Sequence, residues 1–142
     1  MEKIKISLLS DMFSPEEVEY IKSNFSISHE CHKNCLAFCW YCEKRYESIR
    51  FVVVSIAEFN GKPVPGLGHC VVKIGNRYFD PTLDSPSEFY LDYEYTVDEI
   101  TDIYEAEHEY LIPFEPRQDK KTREWYRYRG TQKEFCHPHV LL

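Results

Sequence analysis

The chain has 142 residues, 43% of them hydrophobic and 15% aromatic, and a formal net charge of −7 at pH 7. That is apolar mass enough for one packed domain over residues 1–142, and the acidic balance argues against nucleic acid as a main partner. No run of about 18 apolar residues is present to cross a membrane, and Met1 to Leu9 lacks the apolar core and cleavage site of a secretory signal, so a cytoplasmic protein is the expectation.

In chain order, Lys3 to Leu9 alternates polar and apolar residues and predicts a short strand. Ser14-Pro15-Glu16-Glu17 opens a helix, with Ser14 as N-cap, Pro15 in the first helical position and Glu17 closing a capping box; it runs to about Phe25. A second helix covers about Glu30 to Tyr46. Along it Cys31, Cys35, Phe38, Cys39 and Cys42 recur at helical spacing as one apolar stripe, extended by Leu36 and Trp40. Phe51 to Phe59 is β-branched and almost continuously apolar, as a central strand would be. Asn60 to Gly66 turns the chain into a hairpin. The Asp- and Tyr-rich segment from Asp84 to Tyr95 reads as irregular. Thr96 and Glu99 form a second capping box, opening a helix to about Glu105, and Glu109 to Phe114 and Glu124 to Arg129 read as strands. The segment from Glu115 to Leu142 has no assigned role, and Cys136-His137-Pro138-His139 within it no assigned structure. Helices followed by mostly antiparallel strands make an α+β protein, with N-terminal helices packed on an antiparallel sheet.

The hairpin is Gly68 to Ile74 and Arg77 to Thr82, joined by Gly75-Asn76. Glycine at the first central position accepts positive φ, which suits a two-residue turn. That turn pairs Ile74 with Arg77 and therefore His69 with Thr82. Asp80 then lies on the same face as His69, as its diagonal neighbour at roughly 7–8 Å between backbones. A slip of one residue would put the two on opposite faces.

Six cysteines are present, four of them crowded between Cys31 and Cys42. Helical spacing does not suit disulfides between them, and reduced thiols are expected. Cys31 falls in the first turn of its helix. Unpaired N–H groups and the positive end of the macrodipole favour a thiolate there. His69 is placed to take its proton and Asp80 to orient His69, which makes a Cys-His-Asp nucleophilic site. Backbone N–H groups at the same helix start would supply an oxyanion hole. Cys35, one turn deeper, is the alternative nucleophile; it would move into the first turn if the helix began at Asn34. Cys39, Cys42 and Cys70 read as small buried hydrophobes.

Cys31-His32-Lys33-Asn34-Cys35-Leu36-Ala37, then Gly68-His69-Cys70-Val71-Val72, then Tyr78-Phe79-Asp80-Pro81-Thr82 together resemble the small papain-like, transglutaminase-like proteins. Those carry C-x-x-N at a helix start, a histidine on a strand, and a short hairpin ending in D-P-T. The resemblance covers about residues 31–83. It implies a papain-like/transglutaminase-like core and a triad of Cys31, His69 and Asp80, with Asn34 supporting the helix start or a neighbouring loop. Two departures stand out: Cys70 occupies a position where many relatives place alanine, and no glutamine upstream of Cys31 completes a papain-type oxyanion hole.

The leading expectation is a cysteine-dependent acyl-transfer enzyme, a peptidase, isopeptidase, amidase or transglutaminase-like protein. It would need no cofactor and no metal and would act on a protein, peptide or small amide through a thioester. Two alternatives accompany it. One is a zinc-binding module drawing on His29, Cys31, His32, Cys35, Cys39, Cys42, Cys136, His137 and His139. Against it, the cysteine run has no Gly or Pro to form a knuckle. The other is a catalytically inactive interaction protein on the same fold, using the acidic, Tyr-rich surface from Tyr90 to Tyr95.

Overall fold

Alternating strands and capped helices organise the chain around two apolar clusters on opposite sides of one sheet. A computed structural model describes residues 2–56, 68–107, 117–129 and 132–135. The elements are β1 (Lys3–Ser7), α1 (Pro15–Asn24), α2 (Cys31–Glu43), β2 (Ile49–Ile56), β3 (Gly68–Ile74), β4 (Arg77–Phe79), β5 (Glu88–Thr96), α3 (Val97–Glu107), β6 (Arg117–Gln118), β7 (Trp125–Arg129) and β8 (Gln132–Phe135). A 3-10 turn over Leu9–Asp11 follows β1. The predicted strand over Glu109 to Phe114 and the tail from Cys136 onward lie outside the described residues.

Local chemistry explains the helix starts. The Ser14 hydroxyl accepts from the Glu17 amide while the Glu17 carboxylate accepts from the Ser14 amide. Thr96 and Glu99 make the same reciprocal pair at the start of α3. Helix α2 differs: Glu30 stands at its N-cap without a side-chain cap bond. It also ends three residues earlier than its periodicity suggests, because the amides of both Arg45 and Tyr46 bond to the Cys42 carbonyl and Ser48 then turns the chain with φ of 57°.

Strands β1-β4-β3-β2-β5 form a closed barrel, and β6-β7-β8 form a three-stranded sheet. The fold is α+β, with three helices against a mixed five-stranded barrel rather than a wholly antiparallel sheet: β1 pairs with β4 in parallel and with β5 antiparallel. That parallel pair lets a short N-terminal strand seal the barrel.

The hairpin register matches the expected one, with Ile74 opposite Arg77, Lys73 opposite Tyr78 and Val72 opposite Phe79. Cys70, Val72 and Ile74 face the helices, in a cluster with Cys35, Phe38, Phe51 and Tyr95. Val71 faces the barrel interior with Ile4, Ile6, Val52, Val54 and Phe89. The segment expected to be irregular is the nine-residue strand β5. It carries a bulge: Val53 pairs with Tyr93 but Val54 with Leu91, which leaves Asp92 as the extra residue.

Candidate functional site

The first residue of α2 and the first residues of β3 meet at one rim of the barrel. His69 shares the inward parity of Val71, and its ring packs on Phe89 at 5.4 Å between centroids. Asp80 follows β4 immediately. Its parity puts it on the same face, and His69 Nε2 lies 2.7 Å from Asp80 Oδ2. A carboxylate only accepts, so Nε2 carries the proton and Nδ1 is the nitrogen left to face the thiol.

Asp80 is 1% exposed and fully engaged. Its Oδ1 accepts from the amides of Thr82 and Leu83 at 3.0 and 3.2 Å, and its carbonyl accepts from the Asp84 amide. Asp84 in turn accepts from the Leu9 amide at 2.8 Å and pairs with Lys22 at 3.0 Å. The turn after β4 is therefore held from inside and outside, and the carboxylate that meets His69 is fixed on both oxygens.

Cys31, half-buried at the first position of α2, touches both faces of the strand end. The Cys70 thiol and the His32 and His69 rings surround Cys31 Sγ closely enough to influence its ionisation. The Cys70 bond is the largest influence on Cys31; burial opposes it, and the two histidines reinforce it, so the thiol is driven from an ordinary 9.0 to about 2. Burial pushes the His69 ring down, but its bonds to Asp80 and Cys31 outweigh this and raise it from 6.5 to about 9. Both shifts favour a thiolate beside an imidazolium at neutral pH.

The other described thiols are in a different state. Cys70 keeps its proton through the bond to Cys31 and through burial, and stands well above the ordinary range. Burial first, then the Asp80 charge, does the same to Cys35, whose Sγ donates to the Cys70 carbonyl at 3.2 Å. All five described cysteines are free, and Cys35, Cys39, Cys42 and Cys70 are wholly buried.

Asn34 is 2% exposed rather than on the helix surface. Its Oδ1 accepts from the Ile27 amide at 3.1 Å, and its Nδ2 donates to the Ile27 carbonyl at 2.9 Å and to Thr82 Oγ1 at 3.0 Å. It spans the loop before α2 and the turn after Asp80. The part played by Cys70 was not legible from spacing. Its signal was adjacency to His69: a strand residue beside the histidine must face the helix that brings the thiol.

The arrangement thus joins thiols, an imidazole and a carboxylate in one Cys-His-Asp cluster. Among the described residues no group of three or more His, Cys, Asp or Glu could hold a metal ion, and no helix is long and apolar enough to cross a membrane. Comparison with protein-family models, with curated proteins and with solved structures finds no match to this chain.

Proposed function

We propose that the protein is a cysteine-dependent acyl-transfer enzyme, its 142 residues one papain-like/transglutaminase-like domain. The observation that carries this reading is the His69–Asp80 contact at 2.7 Å, with Cys31 among the groups that raise the imidazole. In this reading Cys31 Sγ attacks an amide or related acyl carbon, and amide groups at the uncapped start of α2 stabilise the tetrahedral oxyanion. His69 gives its Nδ1 proton to the leaving amine, and a thioester forms. Water or a second amine, deprotonated by His69, then releases the acyl group. Asp80 holds the ring tautomer and its cation throughout.

Cys31 is favoured over its neighbours on three grounds. It is half-buried rather than wholly buried, it receives hydrogen bonds rather than donating them, and it bonds to the imidazole. Cys35 and Cys70 hold their protons in the core. Asn34 acts as a positioning residue in this scheme. The substrate is a protein, peptide or small amide in the cytoplasm, and no cofactor takes part.

A panel of electrophilic acyl mimics, with mass-spectrometric mapping of the modified cysteine, tests the reading. Selective labelling of Cys31 that is lost in His69→Ala supports it. Labelling spread over several cysteines, or indifferent to His69, overturns it.

A further inference from the structure

A half-buried thiol and a wholly buried one stand in contact at the rim of the barrel, and acyl transfer uses only the first. Cys31 lies at the first position of α2 and packs against the buried cluster that holds Cys70 of β3, and the Cys70 thiol is the largest influence on it. The next thiol along the helix, Cys35, is turned away, because its Sγ donates to the Cys70 carbonyl at 3.2 Å. Cys31 and Cys35 also share one helix, four residues apart, where disulfide geometry is poor. Of the described cysteines, Cys70 is thus the one aimed at Cys31 from a different element, and no solvent reaches it.

We propose that Cys31 and Cys70 form a reversible disulfide in response to hydroperoxides, and that this oxidised state shuts the site. The inference rests on the reading of Cys31 as the reactive thiol. The Cys31 thiolate attacks one oxygen of the hydroperoxide and the O–O bond breaks. Cys31 becomes a sulfenic acid, and the leaving alkoxide or hydroxide takes the His69 proton to depart as alcohol or water. Cys70 sulfur then attacks Cys31 Sγ. The S–S bond forms, the S–O bond breaks, and the sulfenic oxygen leaves as water with the Cys70 proton. The two sulfurs together lose two electrons, which reduce the peroxide. The burial difference sets the order, since peroxide meets Cys31 first while Cys70 waits behind it as the resolving thiol. The bond would also spare Cys31 the irreversible steps to sulfinic and sulfonic acid.

The test treats the reduced full chain with hydrogen peroxide and maps the products by mass spectrometry before and after dithiothreitol. A Cys31–Cys70 linked peptide, with acyl-probe labelling lost on oxidation and restored by dithiothreitol, is the expected result. In Cys70→Ala, Cys31 should instead gain two or three oxygens, and reductant should not recover it. Sulfinic Cys31 beside a free Cys70 in the unsubstituted protein, or a Cys31–Cys35 bridge, overturns the proposal whatever the variant does. The two readings fail separately. A Cys31–Cys70 bridge in a protein that no acyl mimic labels leaves this inference standing and removes the enzyme reading; labelling without a bridge does the reverse.

Discussion

Asn34 Nδ2 donates to Thr82 Oγ1 at 3.0 Å, across 48 positions of sequence, and so ties the helix that begins at Cys31 to the turn that carries Asp80. The same amide group grips both backbone polar atoms of Ile27. One side chain therefore couples the loop before the thiol's helix to the turn that carries the orienting carboxylate.

Asn34→Ala leaves the Ile27 amide without its partner, and the Ile27 carbonyl with the Glu30 amide alone, in a part-buried place. A stability loss of about 1–3 kcal/mol is expected in denaturant unfolding. A purely structural role would stop there. If Asn34 positions the site, Cys31 labelling by an acyl mimic also slows under conditions where the variant is fully folded, and its pH profile shifts. Unchanged labelling in the folded variant would confine Asn34 to stability.

Asp80→Asn keeps an oxygen able to accept from the Thr82 and Leu83 amides, so the turn should hold, while the stability that comes from the Asp80 bond raising His69 is lost. The substitution removes the charge that holds the His69 cation. Acyl-transfer rates should fall by about 10⁴-fold, as replacing the acid by its amide does in the serine triad, and acyl-probe labelling of Cys31 should slow with them. A variant within a few-fold of the parent would exclude Asp80 from the orienting role.

The thiolate itself is measurable. Ultraviolet absorbance at neutral pH should show about one thiolate that disappears in Cys31→Ala and shrinks in Cys70→Ala, since the Cys70 bond is the largest influence holding Cys31 down. No difference between the parent and Cys31→Ala would show that the site rests as a thiol.

Stability should follow pH in a definite way. His69, raised above 6.5, contributes stability that is complete below pH 6.5 and lost as pH climbs through about 9. Cys31, lowered from 9.0, contributes stability that is complete above pH 9.0 and lost as pH falls towards about 2. Between pH 6.5 and 9.0 the two slopes oppose one another and nearly cancel. Below 6.5 Cys31 acts alone, and stability falls with acid. Comparing unfolding of Cys31→Ser with the parent isolates this contribution; equal acid slopes would mean that Cys31 is not ionised in the folded state.

Gly75 takes φ of +60°, and a Cβ there would meet nothing within 4 Å. Gly75→Ala should cost about 1–2 kcal/mol from backbone conformation alone. His69–Asp80 geometry should survive, with the rate of Cys31 labelling unchanged.

Local signals made part of this architecture readable beforehand. The Gly75-Asn76 turn and a period of two fixed the His69 hairpin, and the two capping boxes fixed α1 and α3, because these depend on residues a few positions apart. The parallel pairing of β1 with β4 depends on contacts more than seventy residues apart, such as Ile6 with Tyr78, and no local pattern encodes it. Strand β5 was hidden for another reason. Phe89, Leu91, Tyr93 and Tyr95 do alternate, but acidic and tyrosine neighbours masked the pattern, and the bulge sends the two halves of that row to different faces. The part of Cys70 escaped because its partner, the first residue of α2, lies on another element; the resemblance named Asn34 as a support, but nothing local pointed to Thr82 and Ile27 as its partners.

The extra residue at Asp92 resets the phase of β5. Phe89 and Tyr95 are both odd-numbered, yet Phe89 lies inside the barrel beneath the His69 ring while Tyr95 lies among the helices. In an unbroken strand the two would share a face, and the imidazole would lose either its aromatic floor or the helices one of their largest wholly buried side chains. Pairing Asp92 into the ladder without removing a residue would force that choice. Deleting Asp92 would instead leave the two rings five positions apart, and a regular strand would still send them to opposite faces; deleting one further residue would put both on one side. The upper half of the strand can serve the reactive rim, and the lower half the helical core, only while the two rings stay out of phase.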